Sequence, residues 1–225
     1  MSNILSQASD SYNKDIEDMV YSKKKDKPRP VSSTVSIDWE RVLSDPPPNN
    51  SQITKIEIEE VIDASTAISE NQKKLVAMVD KDPANLFKPF LERLGLEYPK
   101  EKYNKFWSVL RPIVMNLKWK FNRPRPNQLA PKYGLTVNVF QTKTTKTPSY
   151  PSGHTSYAAG VTALLSDMYP EYTSDFYKLT GIAGEARILG GVHYECDNNA
   201  AMVITSAIWE DVKYDLFPEL YEGRA

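Results

Sequence analysis

The sequence predicts an all-α fold, a bundle of helices preceded by a polar N-terminal extension. Apolar residues recur at helical spacing in several segments after residue 51, and proline or glycine closes most of these segments. No apolar run is typical of a sheet, and the chain has no internal repeat. Its 225 residues suit one domain that can bury a sizeable core. We therefore expect helices joined by long loops.

The predicted extension covers residues 1–50, and the predicted domain covers residues 51–225. The extension is polar, rich in lysine at residues 23–27 and punctuated by proline, with a run of three prolines at 46–48. A segment of this composition buries little apolar surface, so we expect a loosely packed arm. Its lysine run is typical of a solvated stretch rather than a binding patch.

The first predicted helices follow the extension. The helix that begins near Gln52 has acidic residues in its first turns, where the helix dipole favours negative charge. Its apolar residues fall near helical spacing: Ile56, Ile58, Val61, Ile62 and Ala67. The next helix begins after Asp82-Pro83 and ends at Gly95.

A long helix and three further helices complete the predicted bundle. The long helix is closed by Pro124 and Pro126, and Pro112 inside it should kink or split it. The segment at 135–140 suggests a short extended piece within a loop. The remaining helices run from His154 to Pro170, from Thr173 to Gly190-Gly191, and from Asp197 onward.

Composition excludes several classes of protein. Lys+Arg number 28 against 29 Asp+Glu, so the formal charge of -1 gives no sign of a nucleic-acid or acidic-membrane partner. The single cysteine, Cys196, excludes an internal disulfide. With only two histidines a zinc enzyme is disfavoured and no metal is predicted, although an all-carboxylate site stays open. The first thirty residues lack a signal-peptide core and no apolar stretch could span a bilayer, so we expect a cytoplasmic protein.

The candidate catalytic residues stand at the ends of the predicted helices. There are two histidines, His154 and His193, and one of them can serve as nucleophile and the other as general acid near neutral pH. Asp197, four residues after His193, can accept a hydrogen bond from its ring and so fix its tautomer and orientation. Three cations can surround the oxygens of a tetrahedral anion: Lys118, Arg125 and Arg187.

The turn at Ser152-Gly153-His154 adds backbone groups to this set. It precedes a predicted helix, so its N–H groups can face an anion. Gly153 permits close approach of the backbone to a ligand. The two histidines are therefore predicted to be the two halves of a phosphoryl-transfer site.

These residues fall into three groups with regular spacing. The groups are Lys118, six residues, Arg125-Pro126; then Pro151-Ser152-Gly153-His154; then Arg187, five residues, His193, three residues, Asp197. The pattern resembles the signature of the type 2 phosphatidic acid phosphatase (PAP2) superfamily. Bacterial class A non-specific acid phosphatases, lipid phosphate phosphatases and vanadium-dependent haloperoxidases share that signature. The flanks at 149–156 and 184–197, and the proline-rich segment, are most similar to the soluble acid phosphatases.

The resemblance implies a helical bundle of the acid phosphatase–haloperoxidase type and a metal-independent phosphomonoester hydrolase. It implies that His193 attacks phosphorus to form a phosphohistidine, that His154 protonates the leaving oxygen and that Asp197 orients His193. Phosphate binding falls to Lys118, Arg125, Ser152, Gly153 and Arg187. No cofactor is implied, the partner is a small phosphorylated substrate, and the family's soluble members suggest a homodimer or larger assembly.

Two departures from the family keep other interpretations open. Ala186 stands where serine is common before the third-group arginine, and the usual export signal is missing, which a cytoplasmic or virus-encoded member would explain. The alternative enzyme is a haloperoxidase, because the same residues can hold vanadate, an isostere of phosphate. The non-enzymatic alternative is a structural or virion-associated protein that retains a phosphatase core and uses residues 1–50 for attachment.

Overall fold

The structure is a computed structural model that describes residues 11–24, 26–140 and 144–223. The first ten residues of the predicted extension and Lys25 of its lysine run lie outside the described residues. The described ranges contain helices and turns but no strand, and the predicted all-α class is confirmed. The helices are α1 (residues 11–17), α2 (Gln52–Thr66), α3 (Glu70–Lys81), α4 (Ala84–Arg93), α5 (Lys100–Phe121), α6 (Pro126–Leu129), α7 (Gly153–Met168), α8 (Thr173–Leu189) and α9 (Glu195–Leu216).

Helix α7 lies at the centre of the bundle, where it packs against α5, α8 and α9. Close approach of α5 depends on Gly160, because a Cβ there would lie 3.1 Å from the ring of Phe106. The same ring meets Trp209 of α9 edge-on, with 4.9 Å between the ring centroids. One apolar core therefore joins these helices and fixes the positions of their ends.

The long helix α5 is continuous, so Pro112 does not split it, and the alternative of a kink stays a prediction. Proline removes one backbone hydrogen bond, but its neighbours Leu110 and Ile113 are completely buried in the core, and this packing holds the helix together. The helix ends at Phe121, and the backbone of the next residue, Asn122, is left-handed with φ 48°. Helix α4 ends two residues before Gly95, as the sequence predicts.

The apolar pattern of helix α2 predicts its buried face only in part. Ile56 is 44% exposed, whereas Glu57 is buried together with Ile58 and Val61. The first turn contains no acidic residue, so the predicted dipole contribution there is absent. The buried Glu57 is stabilised by an ion pair with Arg123, which a single sequence does not reveal.

Helix α3 was not predicted, because it is mostly polar and exposes most of its surface. Only Val76 and Val79 are fully buried. Its start nevertheless has a sequence signal, a reciprocal capping box in which Ser69 and Gln72 exchange hydrogen bonds. The helix matters for the site because Asp80 lies near its end.

A tight turn between α8 and α9 carries His193. Gly191 has φ +68°, and a Cβ there would lie 2.2 Å from the carbonyl oxygen of Asn138, so only glycine fits. The amide of Phe140 donates to the carbonyl of Gly190 at 3.0 Å. The segment 135–140 forms no strand, and it serves instead as a brace for this turn.

The extension has little regular structure, and its described part is attached at a few points. Ile16 is 2% exposed and Leu43 is 8% exposed. The carboxylate of Asp211 accepts the amide of Ser36 at 2.7 Å, and Asn49 Nδ2 donates to the carbonyl of Met19 at 2.7 Å. These buried side chains and hydrogen bonds fix parts of the extension although it contains few apolar residues. The domain boundary at residue 50 stays a prediction.

Candidate active site

Four helix ends supply the eight residues that the sequence singles out. Lys118 lies in the last turn of α5, and Arg125 follows in the loop before α6. Ser152 caps α7, which begins with Gly153 and His154. The others come from the end of α8, the turn after it and the start of α9: Arg187, His193 and Asp197. Because α7 packs on α5, α8 and α9, these ends meet.

His193 and Asp197 form a buried pair. His193 Nδ1 lies 2.8 Å from Asp197 Oδ2, and the exposed fractions of the two side chains are 2% and 0%. The amide of Tyr194 donates to the same carboxylate oxygen at 3.1 Å. An acceptor at Nδ1 places the imidazole proton on that nitrogen and leaves a lone pair on Nε2. The predicted orienting contact is therefore present in the geometry.

Behind this pair lies a buried ionic network that the sequence analysis missed. Arg123 Nη1 donates to Asp197 Oδ1 at 2.9 Å, and Nη2 donates to Glu57 Oε2 at 2.9 Å. The Arg123 guanidinium also stacks over the ring of Tyr194, 3.8 Å from its centroid. Arg123 lies two residues before Arg125 in the first motif, so its position near the site could be predicted, but its pairing with Glu57 could not.

Lys118 and Arg125 are held by backbone carbonyls. Lys118 Nζ donates to the carbonyls of Pro148 and Ser149 at 2.7 and 3.0 Å. Arg125 Nε donates to Thr147 at 2.9 Å, and its Nη1 donates to Val192 at 2.7 Å. Neutral acceptors leave the positive charges uncompensated. Both cations therefore keep their attraction for an anion.

Arg187 is anchored by Asp80, a third residue that the sequence did not single out. Arg187 Nη1 donates to Asp80 Oδ1 at 3.0 Å, and Nη2 donates to Thr144 at 3.2 Å. Its Nε is buried and has no hydrogen-bond partner among the described residues. The backbone carbonyl of Asp80 also lies 3.3 Å from His154 Nε2. Asp80 therefore connects Arg187 to His154.

The side chain of Ser152 acts in the structure as a helix cap. Its Oγ accepts the amide of Thr155 at 3.4 Å and lies 2.9 Å from the Thr155 hydroxyl. Its backbone amide donates to the carbonyl of Asp197 at 2.9 Å, which ties α7 to α9. The contribution of Ser152 to anion binding stays a prediction.

Burial and neighbouring cations depress the basicity of both histidines. Desolvation and the charge of Arg125 hold the pKa of His193 well below its usual range. Desolvation and the charge of Arg187 lower the pKa of His154 to about 3. Both imidazoles are therefore neutral near pH 7 when only protein groups surround them.

The same burial and neighbouring charges also shift the pKa values of Lys118 and Asp197. Burial and the charge of Arg125 hold the pKa of Lys118 well below its usual range. Burial alone would raise the pKa of Asp197, but Arg123 and His193 outweigh it and lower that pKa to about 2. Repulsion among fixed cations is typical of a site that binds an anion, since the anion relieves it.

These groups face a cavity of about 630 Å³. Five of the eight predicted residues line it: Lys118, Arg125, Gly153, His154 and His193. This volume falls within the range of small-molecule sites. The described residues contain no cluster of three or more His, Cys, Asp or Glu that could hold a metal ion, and the expected metal independence stays a prediction.

Known proteins share sequence similarity with the segment that carries this site. The family model described as the PAP2 superfamily matches residues 107–213, which contain all eight predicted site residues. The match covers just under half of the chain. The predicted resemblance is therefore confirmed.

One curated relative to which this chain is similar is the non-specific acid phosphatase of Providencia stuartii. The two chains are 35% identical over 91 residues, which is 40% of this chain and 36% of the relative. The match thus spans about a third of the length of that protein.

Solved structures share the fold of this chain. The bacterial vanadium-dependent chloroperoxidase in its apo form superposes with a TM-score of 0.54 at 14% identity, over 81% of this chain and 54% of the other. A transmembrane PAP2-type phosphatidylglycerolphosphate phosphatase from Bacillus subtilis gives 0.51 at 16% identity, over 74% and 86%. At these identities the likeness concerns the fold alone. In the described part of this chain no helix is long and apolar enough to cross a bilayer.

Proposed function

We propose that this protein hydrolyses small phosphomonoesters without a metal ion, through a covalent phosphohistidine on His193. The observation that carries the proposal is the 2.8 Å contact between His193 Nδ1 and Asp197, deep in a cavity that Lys118 and Arg125 also line. The likeness to an acid phosphatase supports the same reaction class. The proposal predicts an enzyme rather than a structural protein with an inert core.

In the first step the Nε2 lone pair of His193 attacks phosphorus, and the P–O bond to the alcohol breaks. The bonding electrons leave with the alcohol oxygen, which takes a proton from His154. Arg125 Nη1 lies 3.3 Å from His193 Nε2, so a phosphoryl oxygen can take over this donor as the nucleophile is released. Lys118 and Arg187 neutralise the remaining oxygens.

In the second step water attacks the phosphohistidine. The P–N bond breaks, its electrons return to Nε2 of His193, and His154 takes the proton of the water. The product is inorganic phosphate, and both histidines regain their starting protonation states. Throughout the cycle Asp197 stabilises the positive charge that develops on the His193 ring.

The protonation of His154 depends on the substrate. A pKa of about 3, caused by burial and by Arg187, would leave His154 neutral and unable to donate a proton. A phosphate dianion adjacent to His154 favours the imidazolium form and opposes the effect of Arg187. The general acid is thus formed when substrate binds, which couples proton donation to phosphate recognition.

Haloperoxidase activity is the second candidate, because vanadium-dependent chloroperoxidases share the fold. The residues would fit vanadate as they fit phosphate, since Lys118, Arg125 and Arg187 bind tetrahedral oxyanions through the same contacts. Bound vanadate would supply activation of hydrogen peroxide for halide oxidation. Hydrolysis is preferred, because the relative recognised from sequence is an acid phosphatase.

A panel of phosphomonoesters, assayed with and without EDTA, tests the proposal. We expect an aryl phosphate to be hydrolysed equally in both conditions and orthovanadate to inhibit, because its adduct on His193 resembles the transition state. Activity that EDTA abolishes and a divalent cation restores would overturn metal independence. An inert panel, combined with vanadate-dependent bromination of an organic acceptor by peroxide, would establish the haloperoxidase alternative instead.

A further inference from the structure

The cavity extends beyond the groups that one phosphate requires. In addition to the predicted site residues its lining contains Arg29, Lys81, Trp107, Arg111, Met115 and Tyr157. Its volume of about 630 Å³ can accommodate an alcohol of considerable size next to the phosphoryl group. The chemistry of this second set of residues therefore bears on the choice of substrate.

Cations outnumber carboxylates along this lining. The cations are Arg29, Lys81, Arg111, Lys118 and Arg125, whereas the carboxylates are Asp80 and Asp82. Both carboxylates already pair with cations outside the lining, Asp80 with Arg187 at 3.0 Å and Asp82 with Lys88 at 3.1 Å. In the proposed mechanism a single phosphate dianion engages Lys118, Arg125 and Arg187. Positive charge remains for another anionic group.

Arg29 comes from the extension and is held in place by α5. Its amide donates to Asn116 Oδ1 at 2.7 Å, and Asn116 Nδ2 donates back to the carbonyl of Arg29 at 2.9 Å. Asn116 lies two residues before Lys118 on the same helix. This two-way clamp fixes the backbone of Arg29 relative to the phosphate-binding lysine.

The guanidinium groups of Arg29 and Arg111 are available to a ligand. Within the described part of the chain, the only ion pair of Arg29 is with the half-exposed Asp26, at 3.4 Å. Arg111 is exposed and has no salt bridge among the described residues. A guanidinium can bind a phosphate group through two parallel hydrogen bonds. An incoming phosphate group can therefore displace the loose contact with Asp26.

We infer that Arg29 and Arg111 form a second anion subsite, which favours phosphomonoesters whose alcohol part carries another phosphate group. This inference rests on the proposed function and deepens it. It also gives the extension a role in substrate binding, because Arg29 then completes the substrate site.

Paired substrates test the subsite. Glucose 1,6-bisphosphate and glucose 6-phosphate share a sugar and differ in the second phosphate group. We expect the bisphosphate to be hydrolysed with roughly 10-fold higher kcat/KM at low salt, and we expect this advantage to shrink as salt is added. Arg29→Gln and Arg111→Gln should each remove most of the advantage while changing kcat/KM for glucose 6-phosphate less than about 2-fold.

Matched variants separate the subsite from general effects. Arg41→Gln removes another arginine of the extension, one that is 87% exposed and pairs with Asp38 outside the cavity, so the advantage should persist. Arg29→Lys should restore part of it. An active enzyme that shows no preference, or an Arg29→Gln variant that loses activity equally on both sugars, would overturn the inference.

A binding measurement keeps this test independent of turnover. In a His193→Asn background, which cannot form the phosphohistidine, calorimetry should show tighter binding of the bisphosphate, and Arg29→Gln should abolish the difference. Equal affinities would refute the subsite. An inactive wild-type protein that still prefers the bisphosphate through Arg29 would retain the subsite and refute the proposed phosphatase.

Discussion

Arg123 donates a hydrogen bond to Asp197 across 2.9 Å, from the side of the carboxylate opposite to His193. The same guanidinium binds Glu57 at 2.9 Å, so a carboxylate on α2 is connected through one arginine to the predicted nucleophile. All three side chains are at least nine-tenths buried. Arg123 therefore holds Asp197 ionised where it orients His193, and it acts as a positioning residue.

Replacing Arg123 should impair catalysis through the Asp197 carboxylate. In Arg123→Gln we expect kcat to fall about 10–100-fold, and we expect the acidic limb of the pH–rate profile to move to higher pH as the pKa of Asp197 rises. Kinetics on folded protein across pH 4–8 measure both effects.

Glu57→Gln is the matched control, because it removes the other carboxylate partner of Arg123. It should lower the free energy of unfolding, since Arg123 loses a buried partner, yet leave the acidic limb in place. If both variants shift the limb equally, Arg123 has only a structural role.

Arg187→Lys should be severe although it keeps the charge. A lysine cannot contact Asp80 and Thr144 together and also bind phosphate with a planar fork. We expect kcat/KM to fall roughly 10–100-fold, which corresponds to about 1.4–2.7 kcal/mol of transition-state stabilisation. Arg93→Lys, in the exposed last turn of α4, is the matched control. Unchanged kinetics in Arg187→Lys would place Arg187 outside the phosphate site.

His154→Ala should discriminate between leaving groups. Alkyl phosphates, whose alcohols need a proton to depart, should lose nearly all activity. An activated aryl phosphate should still phosphorylate His193, because its leaving group departs as a stable anion. Plotting kcat/KM against leaving-group pKa for wild type and variant measures this difference. Equal losses across the series would exclude His154 as the general acid.

The depressed histidine pKa values predict destabilisation by acid. The unfolded chain gains protons on its histidines below pH 6.5, whereas folded His154 stays neutral down to a pKa of about 3. Stability is therefore lost as pH falls through this window, by about 1 kcal/mol per pH unit for this histidine. Denaturant unfolding between pH 7 and pH 4.5 should show a shallower loss in His154→Gln, and equal slopes would contradict the low pKa.

The sequence predicts the helical class and most helices because their apolar spacing and their Pro and Gly boundaries are local signals. It predicts the eight site residues through the spacing of three short motifs. Asp80 was missed because α3 is mainly polar, although the Ser69–Gln72 capping box marks where that helix begins. Glu57 and Arg123 were missed because they pair across 66 positions. The burial of Ile16 and Leu43 could not be predicted, because isolated apolar residues in a polar segment give no periodic signal.

The proposed mechanism requires that His193, and not His154, carries the phosphoryl group. Rapid quench of the enzyme with an aryl phosphate, followed by mass spectrometry of its peptides, measures this. We predict an acid-labile, alkali-stable phosphoryl group on the peptide that contains His193, formed as fast as product is first released and absent in His193→Ala. A phosphoryl group on His154, or full turnover by His193→Ala, would contradict the account.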